Sequence, residues 1–315
     1  MRRILVTGAA TWTGDQLTKR LESRPNLELV AVDELETSSN TGPNLHYFEL
    51  DNPEFAHFVI DTAPDTLVHL QTIDRSALLG GRRAHDEAVV GAQALFGAVR
   101  RCATIKRVIV KSDVCVYGMG PRSPSVLAED AAHDGKRGRY ARDLEQVEGF
   151  TQDAANARTD VIFTVLRFAP IFGADVQNPL SRYLRLPVVP TRLGYDPRIQ
   201  LLSGYDAVGA LEHAIDRPVG GTFNIAPTGQ LYLSRILRLG RRVAQPLPRR
   251  AYDMAVKAMS RTNLRLPGHI KALAQYGMVA DTTRMTETFG FEPDLTIRET
   301  VLEGYSRISV ARGSP

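Results

Sequence analysis

The stretch "VTGAATWTG", residues 6–14, joins an apolar run, "RRILVTG" (2–8), to an amphipathic one, "TGDQLTKRLES" (13–23), in which Leu17 and Leu21 fall on one helical face. A strand, a glycine-bearing turn and a helix in that order make a cradle for phosphate. The glycines permit the tight turn, and backbone N–H groups at the helix N-terminus face an anion. Gly8, Thr11, Trp12, Thr13 and Gly14 are therefore the candidate pyrophosphate-binding residues. Trp12 either covers the loop or packs on the helix.

Working outward, "LELVAVD" (27–33) reads as a second strand that ends in Asp33. A carboxylate there can accept both hydroxyls of a ribose, and Glu34 beside it adds charge that repels a 2′-phosphate, so NAD is expected rather than NADP. The alternation continues through "LHYFELD" (45–51), "DTLVHLQ" (65–71), a long helix "HDEAVVGAQALFGAVRRC" (85–102), the strand "RVIVKSD" (107–113), a helix after Tyr140 and the strand "DVIFTVLRF" (160–168). Continuous Val/Ile/Leu strands separated by helices predict a parallel sheet covered on both faces. Beyond residue 173 the texture changes. "PLSRYLRLPVVPTRLGYDP" (179–197) is punctuated by proline and lacks a regular period, strand-like "RIQLL", helical "GYDAVGALEHAID" and strand-like "GTFNIAP" (221–227) follow, and helices predominate from 228. The expected fold is α/β, a Rossmann-type doubly wound parallel sheet with a smaller, interleaved C-terminal substrate lobe. Residues 1–173, with 198–227 returning, make the dinucleotide-binding domain; 174–197 and 228–315 make the lobe.

Composition narrows the function class. With 315 residues, 43% hydrophobic and 23% charged, the chain is globular, and no apolar run approaches the roughly 20 residues of a membrane span. "MRRILVTG" runs directly into a strand, as expected of a cytoplasmic chain with no secretory leader. Cys102 and Cys115 have neither metal nor disulfide spacing and are expected as buried small hydrophobes; no metal is expected. The net charge of +4 is unevenly spread. From Arg235 to Lys271 ten Lys and Arg face one acid, Asp253, so this segment is near +9 while the rest is near −5. That asymmetry points to an anionic partner.

"TGAATWTG", Asp33, "FELD" with Asp51, "LVHLQT", "KSDVCVYG", Tyr140, "LRFAPIFG", "GTFNIAP" and "FGFEPDLTIRETV" (289–301) occur in one order along the chain. In that order they resemble the extended short-chain dehydrogenase/reductases, the relatives of nucleotide-sugar epimerases and dehydratases. The resemblance implies an NAD-binding Rossmann domain, an adenine contact near Asp51, and Leu70 and Gln71 beside the nicotinamide side, where Gln71 and Thr72 replace small alanines. It implies Thr11 at the middle glycine of the family loop, where a β-branched residue adds bulk and resists positive φ. Homodimers are common in the family, and "RLPVVPTRLGYDPRIQLL" (185–202) resembles a bacterial subgroup of epimerase-like proteins.

The family's reaction centre uses a Ser or Thr after the fifth strand, a Tyr in YxxxK and an Asn on the preceding helix. Position by position these places hold Asp113, Tyr140, Leu144 and Ala88, so only the tyrosine is kept. An unassisted Tyr has a pKa of about 10, so phenolate at pH 7 costs roughly 4 kcal/mol, and a carboxylate nearby raises that cost. Arg142 is two residues from Tyr140, the wrong side of a helix for the lysine's work; Arg139 and Lys136 could approach only through loop geometry. Asp113 is then an acid–base group with Tyr140 as donor, a partner in an NAD-linked reaction with an otherwise tuned tyrosine, or a pocket residue in a protein that binds without turnover. The acidic pair of the dehydratase branch is replaced by Val114 and Cys115.

Arg167 reads as a structural ion pair or a pocket contact, and His69 as a core histidine. The basic segment 235–271 includes "AYDMAVKAMSR" (251–261), where Tyr252, Ala255, Val256 and Met259 form one stripe. An ordinary lobe helix, a peripheral contact with an anionic membrane presenting a lipid-linked substrate, and recognition of a substrate diphosphate all fit. Few aromatics interleave the basic residues, which disfavours nucleic acid. The expectation is an NAD-binding, epimerase-like protein with an atypical centre acting on a nucleotide-sugar-like or lipid-linked small molecule, or a non-catalytic NAD sensor or membrane-peripheral binding protein.

Overall fold

The computed structural model describes residues 2–33, 45–48, 52–70, 85–131, 138–259 and 265–306. Glu34, Asp51, Gln71, Thr72 and Lys136 lie outside the described residues. The chain divides into two compact units, Met1–Val116 with Arg139–Arg167 and Val208–Phe223, and Tyr117–Gly138 with Phe168–Ala207 and Asn224–Pro315.

The first unit is built on β1 (Arg2–Thr7), β2 (Leu27–Asp33), β3 (Leu45–Tyr47), β4 (Thr66–His69), β5 (Arg107–Asp113), β6 (Ile162–Phe168) and β7 (Gly221–Ile225), which form one sheet in the order β7-β6-β5-β4-β1-β2-β3. Ladders from β3 to β5 are parallel, with Thr7 opposite His69 and His69 opposite Val110. Helices α1 (Trp12–Glu22), α2 (Pro53–Thr62), α3 (Gly91–Arg101) and α4 (Arg139–Ala157) connect the strands. Leu5, Leu67, Val108 and Val110 join Phe55, Val59, Leu95, Phe96, Val99 and Val147 in one apolar cluster on the α2–α4 face. Ile4 and Val6 alternate to the other face, where α1 contributes Leu17 and Leu21, all four without exposure. Burial on both faces is why the strands lack polar alternation. The direction of strand addition reverses between β1 and β4, the position at whose carboxyl edge such sheets bind ligands. The helix expected over 85–102 opens with a π-helical turn, Asp86–Val90, before α3.

In the second unit the stretch expected to be irregular contains order too short to show a period. Asn178 caps α5 (Pro179–Leu184) by accepting from Ser181 N at 2.7 Å, with Pro179 at the first turn, where its missing N–H costs nothing. Val188–Arg192 then pairs in parallel with Val243–Leu247. Asp206, in the first turn of helix α6 (Gly204–Asp216), which continues into the first unit, accepts at its carboxylate from Asp294 N at 2.8 Å and Leu295 N at 3.3 Å, fastening the C-terminal segment. Next come α7 (Leu233–Leu239), α8 (Arg249–Met259), α9 (Gly268–Tyr276) and α10 (Ile297–Tyr305). The apolar stripe of α8 turns inward, with Tyr252 and Val256 buried and Met254 outside. Cys102 and Cys115 are buried free thiols. Among the described residues no helix is long and apolar enough to cross a membrane, and no three His, Cys, Asp or Glu side chains group to hold a metal ion.

His69 lies without exposure in β4, its Nδ1 2.7 Å from Thr7 Oγ1 and its Nε2 buried without a partner among the described residues. Burial pushes the imidazole down from 6.5 to about 4. The unfolded chain therefore binds a proton there below about pH 6.5 that the folded chain refuses, so stability falls as pH drops from 6.5 to 4, by at most about 3 kcal/mol. Urea titrations between pH 7 and 4 should show that acid loss in the wild type, and a shallower one in His69→Gln.

Candidate functional site

The residues after β1 fold into a cradle held by short backbone bonds. Gly8 has φ of +75°, the left-handed region glycine enters freely. Thr11 N donates to Gly8 O at 3.0 Å, and Thr11 Oγ1 donates to the same oxygen at 2.7 Å. Thr11 is the N-cap of α1 in extended conformation (φ −69°, ψ 157°), and its hydroxyl accepts from Gly14 N at 3.0 Å. The strain expected of a β-branched residue does not arise, because the backbone here never enters positive φ. The next amides, of Trp12 and Thr13, have no hydrogen bond among the described residues, as the first turn of any helix leaves them. Trp12 is half-buried and Thr13 buried. At Gly14 the constraint is space: a Cβ would run into Gly8 O and sit 2.8 Å from Ala9 Cα.

Asp33 ends β2 fully buried, and its Oδ2 accepts from Ala10 N at 2.7 Å. Its carboxylate thus braces the cradle. Leu70, also fully buried, closes the end of β4 with its N–H on Thr7 O at 3.0 Å.

Farther along the same edge, Asp113 ends β5. Its Oδ1 accepts from Cys115 N at 2.6 Å, which turns the chain into a 3₁₀ segment, Val114–Tyr117. Tyr140, in the first turn of α4, directs its hydroxyl at Asp113 Oδ2 at 3.4 Å. That separation exceeds an ordinary O–H···O bond, as ligand-free sites often do. Sequence reasoning paired these two residues, and the fold brings them together. It also fills the lysine place: Leu144 is 1% exposed and adds no charge. Ser112 points elsewhere, donating to Glu148 Oε1 at 2.6 Å. Glu148 in turn takes a bidentate ion pair from Arg167, at 3.0 and 2.6 Å, so Arg167 is engaged structurally.

The profile of the NAD dependent epimerase/dehydratase family matches residues 4–226. The chain belongs to that family. Its relatives include uncharacterized proteins of Mycobacterium tuberculosis and Mycobacterium bovis, each 35% identical over 94% of this chain and 81% of theirs. Among solved structures, the UDP-glucose 4-epimerase of Thermotoga maritima with UDP-glucose aligns over 97% of this chain and 98% of its own at TM-score 0.73 and 18% identity. The dTDP-glucose 4,6-dehydratase of Bacillus anthracis in complex with NAD aligns over 97% and 96% at TM-score 0.74 and 16% identity. At such identity these structures establish the shared Rossmann-type fold.

The fold makes two further contacts that sequence spacing could not disclose. One is the Ser112–Glu148–Arg167 cluster; the other joins His85 Nδ1 to Asp143 Oδ1 at 2.9 Å. Their partners stand up to 58 residues apart, and no motif links them.

Two outcomes test the packing. Gly14→Ala should lower unfolding free energy by about 1–3 kcal/mol in denaturant titration, because backbone rather than a flexible side chain must move. Glu148→Ala should cost about 3–5 kcal/mol by taking the bidentate carboxylate away from buried Arg167, and Glu148→Leu with Arg167→Met should recover most of that loss.

Proposed function

We propose that the chain is an NAD-binding, epimerase-like enzyme acting on a nucleotide-sugar-like small molecule, with its reaction centre at Asp113 and Tyr140. The observation that carries the reading is the Tyr140 hydroxyl aimed at Asp113 on the same sheet edge as the phosphate cradle. The residues present fit a dinucleotide. The unsatisfied amides of Trp12 and Thr13, with Gly8 and Gly14, suit a pyrophosphate, and the Asp33 carboxylate suits ribose hydroxyls and opposes a 2′-phosphate. Leu70 would border the nicotinamide side; Asp51 and Gln71 keep the places the resemblance gives them. When bound, the nicotinamide would take up and return a hydride.

The chain's own groups handle the proton. Leu144 brings no charge that would favour a phenolate, and on this reading Tyr140 acts as the donor while Asp113 is the acceptor. The nucleotide sugars bound or acted on by structural neighbours support the substrate class. A second reading, a non-catalytic NAD-binding protein, draws on the buried Leu144 and the long Tyr140–Asp113 separation. A membrane-peripheral role has lost the support of the α8 stripe, which is packed inside its own unit.

Calorimetry should give micromolar binding of NAD⁺ and NADH and much weaker binding of NADP⁺ and NADPH, and Asp33→Ser should narrow the difference. With UDP-glucose and dTDP-glucose as probes, Tyr140→Phe and Asp113→Asn should each cut turnover about 100-fold or more. NAD binding with no turnover of any nucleotide sugar leaves the non-catalytic reading; no binding of any form sinks both.

A further inference from the structure

Asp143 is 4% exposed and sits three residues after Tyr140 on α4, a spacing that puts both side chains on one helical face. The first turns of α4 thus present Tyr140 to Asp113 and Asp143 to His85. A carboxylate carries no proton, so the imidazole Nδ1–H must be the donor in the 2.9 Å bond. That fixes the neutral tautomer with an open lone pair on Nε2. The His85 side chain is 36% exposed, and among the described residues it has no second hydrogen bond. It is therefore held at one nitrogen and open at the other, the arrangement in which a carboxylate orients an imidazole and stabilises its cation. His69 is the opposite case, fully buried, with no carboxylate and pushed down to about 4.

Backbone geometry marks the same place. His85 directly precedes the π-helical turn Asp86–Val90, which packs against α4. A π turn holds one residue more than an α turn, so it rotates what precedes it by about 100° relative to α3. Such single turns concentrate at functional sites. As a device for stability alone the pair is poor. Burying a carboxylate costs several kcal/mol, and a partner that is charged only when protonated is a poor choice for offsetting it.

We propose that His85, oriented by Asp143, exchanges protons with the centre formed by Asp113 and Tyr140, and so supplies the titratable group that Leu144 does not. The inference rests on the reading above and deepens it. The step is one proton transfer: the O–H bond formed when the Asp113 carboxylate accepts a proton breaks, its electron pair stays on that oxygen, and the proton forms an Nε2–H bond on His85. The Asp143 carboxylate offsets the imidazolium, and the proton returns on reversal. His85 is the carrier and Asp143 its positioning residue.

The test uses the full chain with ring-¹⁵N histidine, the His85 signals assigned by their loss in His85→Gln. The ligand-free protein should show the Nδ1-protonated tautomer, and Asp143→Asn should shift its population toward Nε2–H. Saturating NAD⁺ should move the His85 ring signals, and ADP-ribose, which lacks the nicotinamide, should leave them in place. Calorimetry on the same samples separates the failures. NAD⁺ that binds without moving His85, equal shifts with ADP-ribose, or a tautomer unchanged in Asp143→Asn would each overturn the role of His85 and leave the proposed function standing. NAD⁺ that does not bind overturns both.

Discussion

The distance at which α1 can lie against the end of β1 governs the whole carboxyl edge of the sheet. At Gly14 a side chain would occupy the position of Gly8 O, so only a residue without Cβ lets the helix begin there. Once it begins there, Thr11 falls at the N-cap and Asp33 falls under Ala10 N. The two glycine places of the loop are thereby distinguished. Gly14 answers a steric limit that no substitution relaxes, whereas the glycine place at Thr11 has negative φ and tolerates a side chain. A threonine cap contributes about 1 kcal/mol to the helix. It engages Gly14 N and Gly8 O and leaves the amides of Trp12 and Thr13 as donors.

Charge is what differs most at the other end of the edge. A lysine in the first turns of α4 would make the site cationic and favour a phenolate. Here that place is apolar, and among the described residues Asp113 faces Tyr140 and Asp143 faces His85. Tyrosine beside an anion holds its proton more firmly. On the proposed reading, proton acceptance therefore passes from the phenol to groups whose ordinary pKa values lie below 7, and the tyrosine remains as a donor. The Ser112–Glu148–Arg167 cluster is neutral overall, and its compensated charges fix α4 to β5 and β6 without altering that balance.

The sheet was legible because its strands are long apolar runs: "RVIVKSD" is β5 to the residue, and "LELVAVD" is β2. Asp113 and Tyr140 were legible as a pair because a family order of motifs aligned them. The short helix and strand within 179–197 were not, since six and five residues hold too little period, and their order comes from a cap at Asn178 and from pairing with Val243–Leu247. The His85–Asp143 contact was invisible for another reason. Its members stand on different helices, and only the packing of the π turn on α4 brings them together. The adenine-side expectation at Asp51 and the nicotinamide-side expectation at Gln71 fall on residues outside the description.

The basic segment illustrates why an amphipathic period does not name its partner. Tyr252 and Val256 recur on one face of α8, as a membrane-lying helix would have them, yet that face is already buried in its own unit. Each such side chain gains about 1.5–3 kcal/mol from burial, so withdrawing the stripe to insert it in a bilayer would forfeit several kcal/mol before any contact with lipid. Met254, 72% exposed, is a single apolar side chain and offers little in exchange. What remains outward is charge: Arg249, Arg250 and Lys257 are exposed. This charge attracts an anion through electrostatics, an attraction that fades over about 10 Å at 0.1 M salt. The charge can raise the local concentration of an acidic partner.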